Sequence, residues 1–242
     1  MEINRLLIKF SGEALGGSDG AGLDPKVMDD YAAEIAEVVK SGVQVAIVVG
    51  GGNIFRGAAG EKLGFERYHG DQMGMLATVI NSIGLSLALK DAGVPAEVFT
   101  ATPMRPMAKY YMRDEVLEFM EKGGVALVAG GTGNPYFTTD SAAALRAIEL
   151  RCDALLKGTK VDGVYDKDPV KFKDAVKYKT LTFEQCLDQN LRVMDQTAFA
   201  LCKENDMPLV VYKSTDNGNT VKVVKALKAG KKLTNGTIVN NK

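Results

Sequence analysis

Hydrophobic and polar positions along the 242-residue chain follow two alternating periods. Short apolar runs rich in β-branched residues read as strands at 6–10, 45–49, 96–99, 125–129, 154–157 and 209–212. Several are apolar at nearly every position, which leaves no wet face and suits a parallel sheet covered on both sides. Between them, apolar residues spaced three and four apart predict helices over 25–40, 72–91, 113–121, 141–149, 183–189, 196–204 and 220–228. Two helix starts carry explicit signals. Asp24 precedes Pro25, an N-cap followed by proline in the first turn, and Thr182 with Gln185 three residues on forms a capping box. Strand–helix–strand alternation predicts a three-layer α/β/α fold around a central, mostly parallel sheet with right-handed crossovers. The chain reads as a single domain over 1–242, with a soft seam near Asp153 that separates approximate lobes at 1–152 and 153–242.

Composition narrows the function classes. Thirty basic and thirty acidic side chains give zero net charge, which argues against a protein built on nucleic-acid backbone electrostatics. The segment from Lys203 onward holds eight lysines and three acids, net +5, read as a solvated helix face or, alternatively, a nucleic-acid patch. Cys152, Cys186 and Cys202 cannot all pair within one chain, and with a single histidine they form no zinc set of the usual spacing. The expectation is a reduced, cytoplasmic protein without signal peptide. The apolar stretch 73–89 is about one membrane span long but carries Thr78, Asn81, Ser82 and Ser86, so it reads as a buried or subunit-interface helix.

Three glycine-rich turns change this picture. Ser11-Gly-Glu-Ala-Leu-Gly-Gly follows the first strand, Gly50-Gly-Gly-Asn-Ile-Phe-Arg-Gly the second, and Gly130-Gly-Thr-Gly-Asn-Pro-Tyr-Phe-Thr-Thr-Asp the fourth predicted one. In a parallel sheet all three emerge at the carboxyl edge, where ligands of open α/β sheets bind. Glycine lets backbone N–H groups approach an anion, and the following helix adds its positive end. Neither G-x-x-x-x-G-K-[ST] nor a strand-to-helix G-x-G-x-x-G is present, which excludes the two commonest nucleotide fingerprints. Lys9 near the end of the first strand, Arg56 after the second glycine turn, and Lys157 ending the fifth predicted strand could converge on one anion.

The motifs Lys9-Phe-Ser-Gly-Glu-Ala-Leu, Gly50-Gly-Gly-Asn-Ile-Phe-Arg-Gly, Gly70-Asp-Gln-Met-Gly-Met-Leu-Ala-Thr, Gly131-Thr-Gly-Asn-Pro-Tyr-Phe-Thr-Thr-Asp and Lys160-Val-Asp-Gly-Val-Tyr together resemble the bacterial uridylate kinases, a branch of the amino-acid kinase fold family. The resemblance runs from about residue 5 to 239 and implies that family's carbamate kinase-like fold. It implies ATP held by Lys9, Phe10, Ser11, Gly12, Gly52, Arg56, Thr159, Asp162, Tyr165 and Asp168 in a carboxyl-terminal lobe. It implies UMP held by Gly51, Asp71, Thr132, Gly133, Asn134, Pro135, Tyr136, Phe137, Thr138 and Thr139 in an amino-terminal lobe. Catalysis would fall to Lys9, Arg56, Asp140 and Lys157, with Mg²⁺ carried by the nucleotide phosphates and no direct protein ligand. Further implications are a homohexamer, GTP activation through the loop Gly17, Ser18, Asp19, Gly20, Ala21 and Gly22, and UTP inhibition. Gln72 stands where relatives often carry His or another residue, and Tyr136 where many carry Phe.

Chemistry agrees with that assignment. The acceptor would be a phosphate with a second pKa of about 6, already mostly dianionic at neutral pH, so no general base is needed. His69 is accordingly left as a structural or rim residue. What phosphoryl transfer requires is charge neutralisation and alignment. Asp140 reads either as the cap of the helix beginning at Ser141 or as an organiser of the lysines, and Asp162 either as a turn residue or as an organiser of the nucleotide site. Competing readings are a carboxylate or carbamate kinase and a non-catalytic nucleotide- or oxyanion-binding protein.

Overall fold

The computed structural model describes residues 2–55 and 64–242. Its strands are β1 Arg5–Phe10, β2 Gln44–Val49, β3 Ala96–Thr100, β4 Lys109–Tyr110, β5 Val125–Ala129, β6 Ala154–Thr159, β7 Thr180–Thr182, β8 Leu209–Lys213 and β9 Gly236–Asn240. The helices are α1 Gly12–Leu15, α2 Pro25–Lys40, α3 Arg67–Asp91, α4 Arg113–Glu121, α5 Thr139–Glu149, α6 Phe183–Asp188, α7 Gln196–Glu204 and α8 Asn219–Lys228. The strands form one sheet in the order β4-β3-β5-β2-β1-β6-β8-β9-β7. Every pairing is parallel except β8 with β9.

Period-two alternation along the central strands builds two apolar layers. Leu6, Ile8 and Phe10 of β1, with Val45, Ile47 and Val49 of β2, point to the layer formed with α2, α3 and α8. Leu7 of β1, with Ala46 and Val48 of β2, points to the layer formed with α4, α5, α6 and α7. The predicted three-layer architecture is what folds. This alternation also decides a chemical matter, because Lys9 lies on the Leu7 side and therefore under α5.

Both sequence-level helix starts hold. The Asp24 carboxylate accepts the Lys26 and Val27 amides, and the Thr182–Gln185 box is complete. Corrections concern other boundaries. Strand β6 continues two residues past Lys157 to Thr159, and α3 starts at Arg67 rather than Gln72. Helix α5 starts at Thr139 rather than Ser141, and its cap is Thr138, whose hydroxyl accepts the amides of Asp140 and Ser141. The cap reading of Asp140 is thereby removed. Strands β4, β7 and β9 carry no apolar run in the sequence and were not expected.

Helix α3 is long and apolar enough to cross a membrane by length and composition, yet half of its most apolar window is buried inside the chain. Met73, Leu76, Ile80 and Leu87 remain exposed along it. The three cysteines are buried and unpaired with one another.

Candidate functional site

The carboxyl ends of β1, β2 and β5 lie side by side, so the three glycine turns meet as expected. The first two touch directly. A Cβ on Gly12 would stand 2.3 Å from the Gly50 carbonyl oxygen and 2.6 Å from Asn53 Oδ1, so only glycine fits there. The Gly50 amide donates to the Phe10 carbonyl at 3.0 Å, while the Phe10 ring is fully buried against Tyr31. The side chain of Phe10 thus belongs to the core, leaving only its backbone at the site.

Two buried asparagines hold the second turn. Asn53 Nδ2 donates to Asn81 Oδ1 at 2.9 Å, and Asn81 Nδ2 donates to Asn53 Oδ1 at 2.7 Å and to the Gly50 carbonyl at 2.6 Å. Asn53 Nδ2 also donates to the Gly22 carbonyl, and the Gly22 amide returns a bond to the Asn53 carbonyl. Removing one partner leaves buried polar groups without a match, at roughly 1–3 kcal/mol each. Asn81→Ala is therefore expected to lower unfolding free energy by at least that amount in a denaturant titration. An unchanged midpoint would mean the turn is not held by this pair.

Register places the charged centre. In the β1–β6 pairing Lys9 lies opposite Lys157, on the face that α5 covers. The first turn of α5 lowers Asp140 between the two ammonium groups. Lys157 Nζ donates to Asp140 Oδ2 at 2.6 Å, and Lys9 Nζ lies 3.0 Å from Oδ1. The Lys9 contact is an ion pair off the aligned hydrogen-bond direction, so Oδ1 has charge compensation without an aligned donor. All three side chains are about 85% buried. Burial pushes the Asp140 carboxyl up, but the charges of Lys9 and Lys157 outweigh it and hold Asp140 below the usual carboxylate range. Burial pulls Lys157 down, and the like charge of Lys9 adds to this against the opposing pull of Asp140. Lys157 Nζ also donates to the Val193 carbonyl at 2.7 Å.

On one side of this centre lies a cavity of about 340 Å³, lined by Gly51, Gly52, Phe55, Arg67, Asp71, Phe137, Thr138 and Thr139 among others. Asp71 accepts the Arg67 Nε on both oxygens at 2.9 Å and the Tyr136 amide at 2.7 Å. Phe137 lines the cavity and is 48% exposed, which leaves an aromatic ring at its mouth, while Tyr136, at φ 70 and 64% exposed, is its chain neighbour and does not line the cavity. Thr132, Gly133, Asn134 and Pro135 form the outer arm of the turn and do not line this cavity. The Thr132 hydroxyl bonds within the arm to Asn134. His69 is exposed on the first turn of α3, edge-on to Tyr68.

On the other side lies a cleft of about 620 Å³ lined by Lys157, Thr159, Tyr165 and Asp168, together with the segment Gln189, Asn190, Leu191, Arg192 and Val193. Asp162 does not line it. Its carboxylate accepts the Tyr165 hydroxyl at 2.5 Å and Lys177 at 2.7 Å, and so fixes the wall from behind. Asp168 accepts the Val170 amide at 2.9 Å. The loop holding Gly17, Ser18, Asp19, Gly20, Ala21 and Gly22 stands apart from both. Gly17 and Ser18 border a third cavity with Glu13, Asp24, Asp30, Glu34 and Lys160. Arg56 lies outside the described residues. Among the described residues, no group of three or more His, Cys, Asp or Glu side chains could hold a metal ion.

Several working residues were not singled out from the sequence. Asn53 stood inside a quoted motif. The 189–193 wall and Arg67 carried no signal. Nor was Asp195 singled out, whose carboxylate accepts the Ala198 amide and the Thr138 and Ser141 hydroxyls.

With the geometry in place, the chain can be set beside known proteins. Residues 4–213 match the model of the amino acid kinase family. A uridylate kinase of Bacteroides thetaiotaomicron is 49% identical over 237 residues, 98% of each chain. One of Porphyromonas gingivalis is 48% identical, covering 96% of this chain and 97% of its own. Among solved structures, a UMP kinase from Bacillus anthracis superposes with a TM-score of 0.92 at 34% identity, covering 100% of this chain and 97% of that one. A UMP kinase from Ureaplasma parvum gives 0.91 at 38% identity, covering all of both.

Proposed function

This chain belongs to the amino acid kinase family, among its uridylate kinases, and on that premise we propose that it transfers the γ-phosphoryl group of ATP to UMP, giving UDP for pyrimidine nucleotide synthesis. One observation carries the reading. Asp140 follows Thr139, which lines the smaller cavity, and pairs with Lys157, which lines the larger cleft. A triad of two ammonium groups and one carboxylate thus joins the helix turn that lines the smaller cavity to the strand that lines the larger cleft.

UMP occupies the smaller cavity, its base against the exposed ring of Phe137 and its ribose at Asp71, an acceptor-only group suited to hydroxyls. ATP occupies the larger cleft, within the amino- and carboxyl-terminal lobes taken as acceptor and donor halves. A phosphate oxygen of UMP attacks the γ-phosphorus, the bond from γ-phosphorus to the bridging oxygen breaks, and ADP leaves. The acceptor is already dianionic, so the chain need only neutralise and align. Lys9 and Lys157 spread positive charge over the transferring group, and the Gly51 and Gly52 amides add fixed dipoles. Asp140 keeps the ammonium groups apart and aimed. The carboxylate at the centre is already committed to two lysines, so Mg²⁺ would enter with the nucleotide phosphates and would supply further charge neutralisation.

The reading extends to a homohexamer, for which the exposed Met73, Leu76, Ile80 and Leu87 on α3 offer an apolar face. It extends to GTP activation through the 17–22 loop, whose bonds to Asn53 reach the glycine turn, and to UTP inhibition. It places the protein in the cytoplasm. A coupled assay with ATP and Mg²⁺ tests the reaction, offering UMP, CMP, dUMP, carbamate and acetylglutamate with and without GTP. Turnover on UMP is expected. Turnover on a carboxylate or carbamate alone would move the chain to another branch of the family, and UMP binding without turnover would make it a sensor.

A further inference from the structure

We infer that Asp195 is a positioning residue for phosphoryl transfer, tying the acceptor turn to the wall of the donor cleft so that Asp140 is held between Lys9 and Lys157. The inference rests on the kinase reading above, but its geometry is independent of it. The Asp195 carboxylate accepts the Ser141 hydroxyl at 3.0 and 3.1 Å, the Ala198 amide at 2.9 Å and the Thr138 hydroxyl. Thr138 is the cap of α5, and its oxygen in turn accepts the Asp140 amide at 3.0 Å and the Ser141 amide at 3.3 Å. With the Thr138 proton committed to Asp195, the lone pairs of that hydroxyl face the helix amides. Two residues before Asp195, the Val193 carbonyl accepts Lys157 Nζ at 2.7 Å.

The short segment from Val193 to Asp195 therefore grips the triad from both ends. One end holds Lys157 through a carbonyl. The other end holds the backbone of Asp140 through a single relay hydroxyl. A helix N-terminus needs one capping side chain, and Asp195 already caps α7 at Ala198. The additional bonds to Thr138 and Ser141 join α7 to the turn that carries the acceptor site. They span more than fifty residues of sequence. Asp195 lines neither cavity and acts through these contacts, with its negative charge also favouring the ammonium form of Lys157.

The test compares Asp195→Ala, Asp195→Asn, Ser141→Ala and the Asp195→Ala/Ser141→Ala double variant with wild type. The readouts are kcat and KM for each nucleotide, and amide hydrogen exchange across residues 132–145. Asp195→Ala is expected to lower kcat by about 30-fold or more, with KM for ATP within about threefold. Asparagine still offers an acceptor for the α7 cap and one hydroxyl, so Asp195→Asn is expected to recover most of the loss. Ser141→Ala should lose less, and its loss should not add to that of Asp195→Ala, since both act through one carboxylate. Exchange at Asp140 and Ser141 should speed up while β1 and β5 stay protected. A folded Asp195→Ala with kcat within threefold of wild type would overturn the inference, as would additive losses or unchanged exchange at Asp140 and Ser141. If Asp195→Ala fails to fold, Ser141→Ala decides: a lowered kcat with faster exchange at Asp140 supports the inference, and unchanged kcat and exchange overturn it. A wild-type chain without turnover on any acceptor sinks the kinase reading instead, and the exchange measurement then judges the positioning on its own.

Discussion

Asp140→Asn is expected to lower kcat for phosphoryl transfer by about a thousandfold, while the protein folds and binds both nucleotides. The magnitude follows from what the carboxylate separates. Lys9 and Lys157 lie opposite each other in the β1–β6 register and, among the described residues, share only Asp140 as counter-charge within 4 Å. Losing one partner of a buried, hydrogen-bonded ion pair costs about 3–5 kcal/mol. Misaiming donors at a transition state costs about 10²–10³ in rate for a single one. Because Thr138, not Asp140, caps α5, the substitution leaves the helix start intact and reads the charge alone. Acid dependence supplies an internal check. A carboxylate whose pKa is depressed by folding contributes stability above its unfolded pKa and loses it as pH falls through the folded one. The stability difference between wild type and Asp140→Asn should therefore be full at neutral pH and close below the ordinary carboxylate range. A gap that does not begin to narrow as pH falls below the ordinary carboxylate range, or kcat within tenfold of wild type, would show that Asp140 does not organise the lysines.

Lys9→Ala is expected to lower kcat by about two to three orders of magnitude, with KM for UMP and ATP changed severalfold at most. Lys9 sits near the carboxyl end of a central strand whose Leu6, Leu7, Ile8 and Phe10 are core, and its side chain is 14% exposed. A buried ammonium there is tolerated because Asp140 faces it, and it is useful because the transferring phosphoryl group is polyanionic. Truncation removes a charge made for the transition state more than for ground-state binding, so the loss falls on kcat. Arginine should not restore the rate, since a planar guanidinium cannot take the place of a compact point charge between β1 and α5. A loss below threefold would remove Lys9 from the chemistry. Proper folding of both variants is checked by the thermal unfolding midpoint and the oligomeric state.

The extent to which these features were legible in the chain depended on where each one sits. Strands β1, β2, β3, β5, β6 and β8 were found to within two residues because they are buried on both faces and therefore continuously apolar. The edge strands β4, with both residues exposed, and β7, and the strand β9 that pairs with β7, were not, because these short or polar segments become strands through their pairing. The glycine turns were legible because their places after predicted strands put them at one sheet edge. Asp140 was legible only as an ambiguity, since Thr138 and Asp140 are both competent caps and the choice depends on which side chain has a better use. Here two lysines provide that use.

By itself the sequence determined the layer architecture, the edge of the sheet that binds, the anion-binding character of that edge and, through its motifs, the family. Those follow from short-range rules in which hydrophobic period, turn chemistry and motif spacing involve neighbours. Only the tertiary structure decided that Lys9 and Lys157, 148 residues apart, are register partners on the α5 face, or that Asp195 reaches back to Thr138. Register is set by how whole layers pack, and a side chain's face follows from that packing, so no local pattern encodes it.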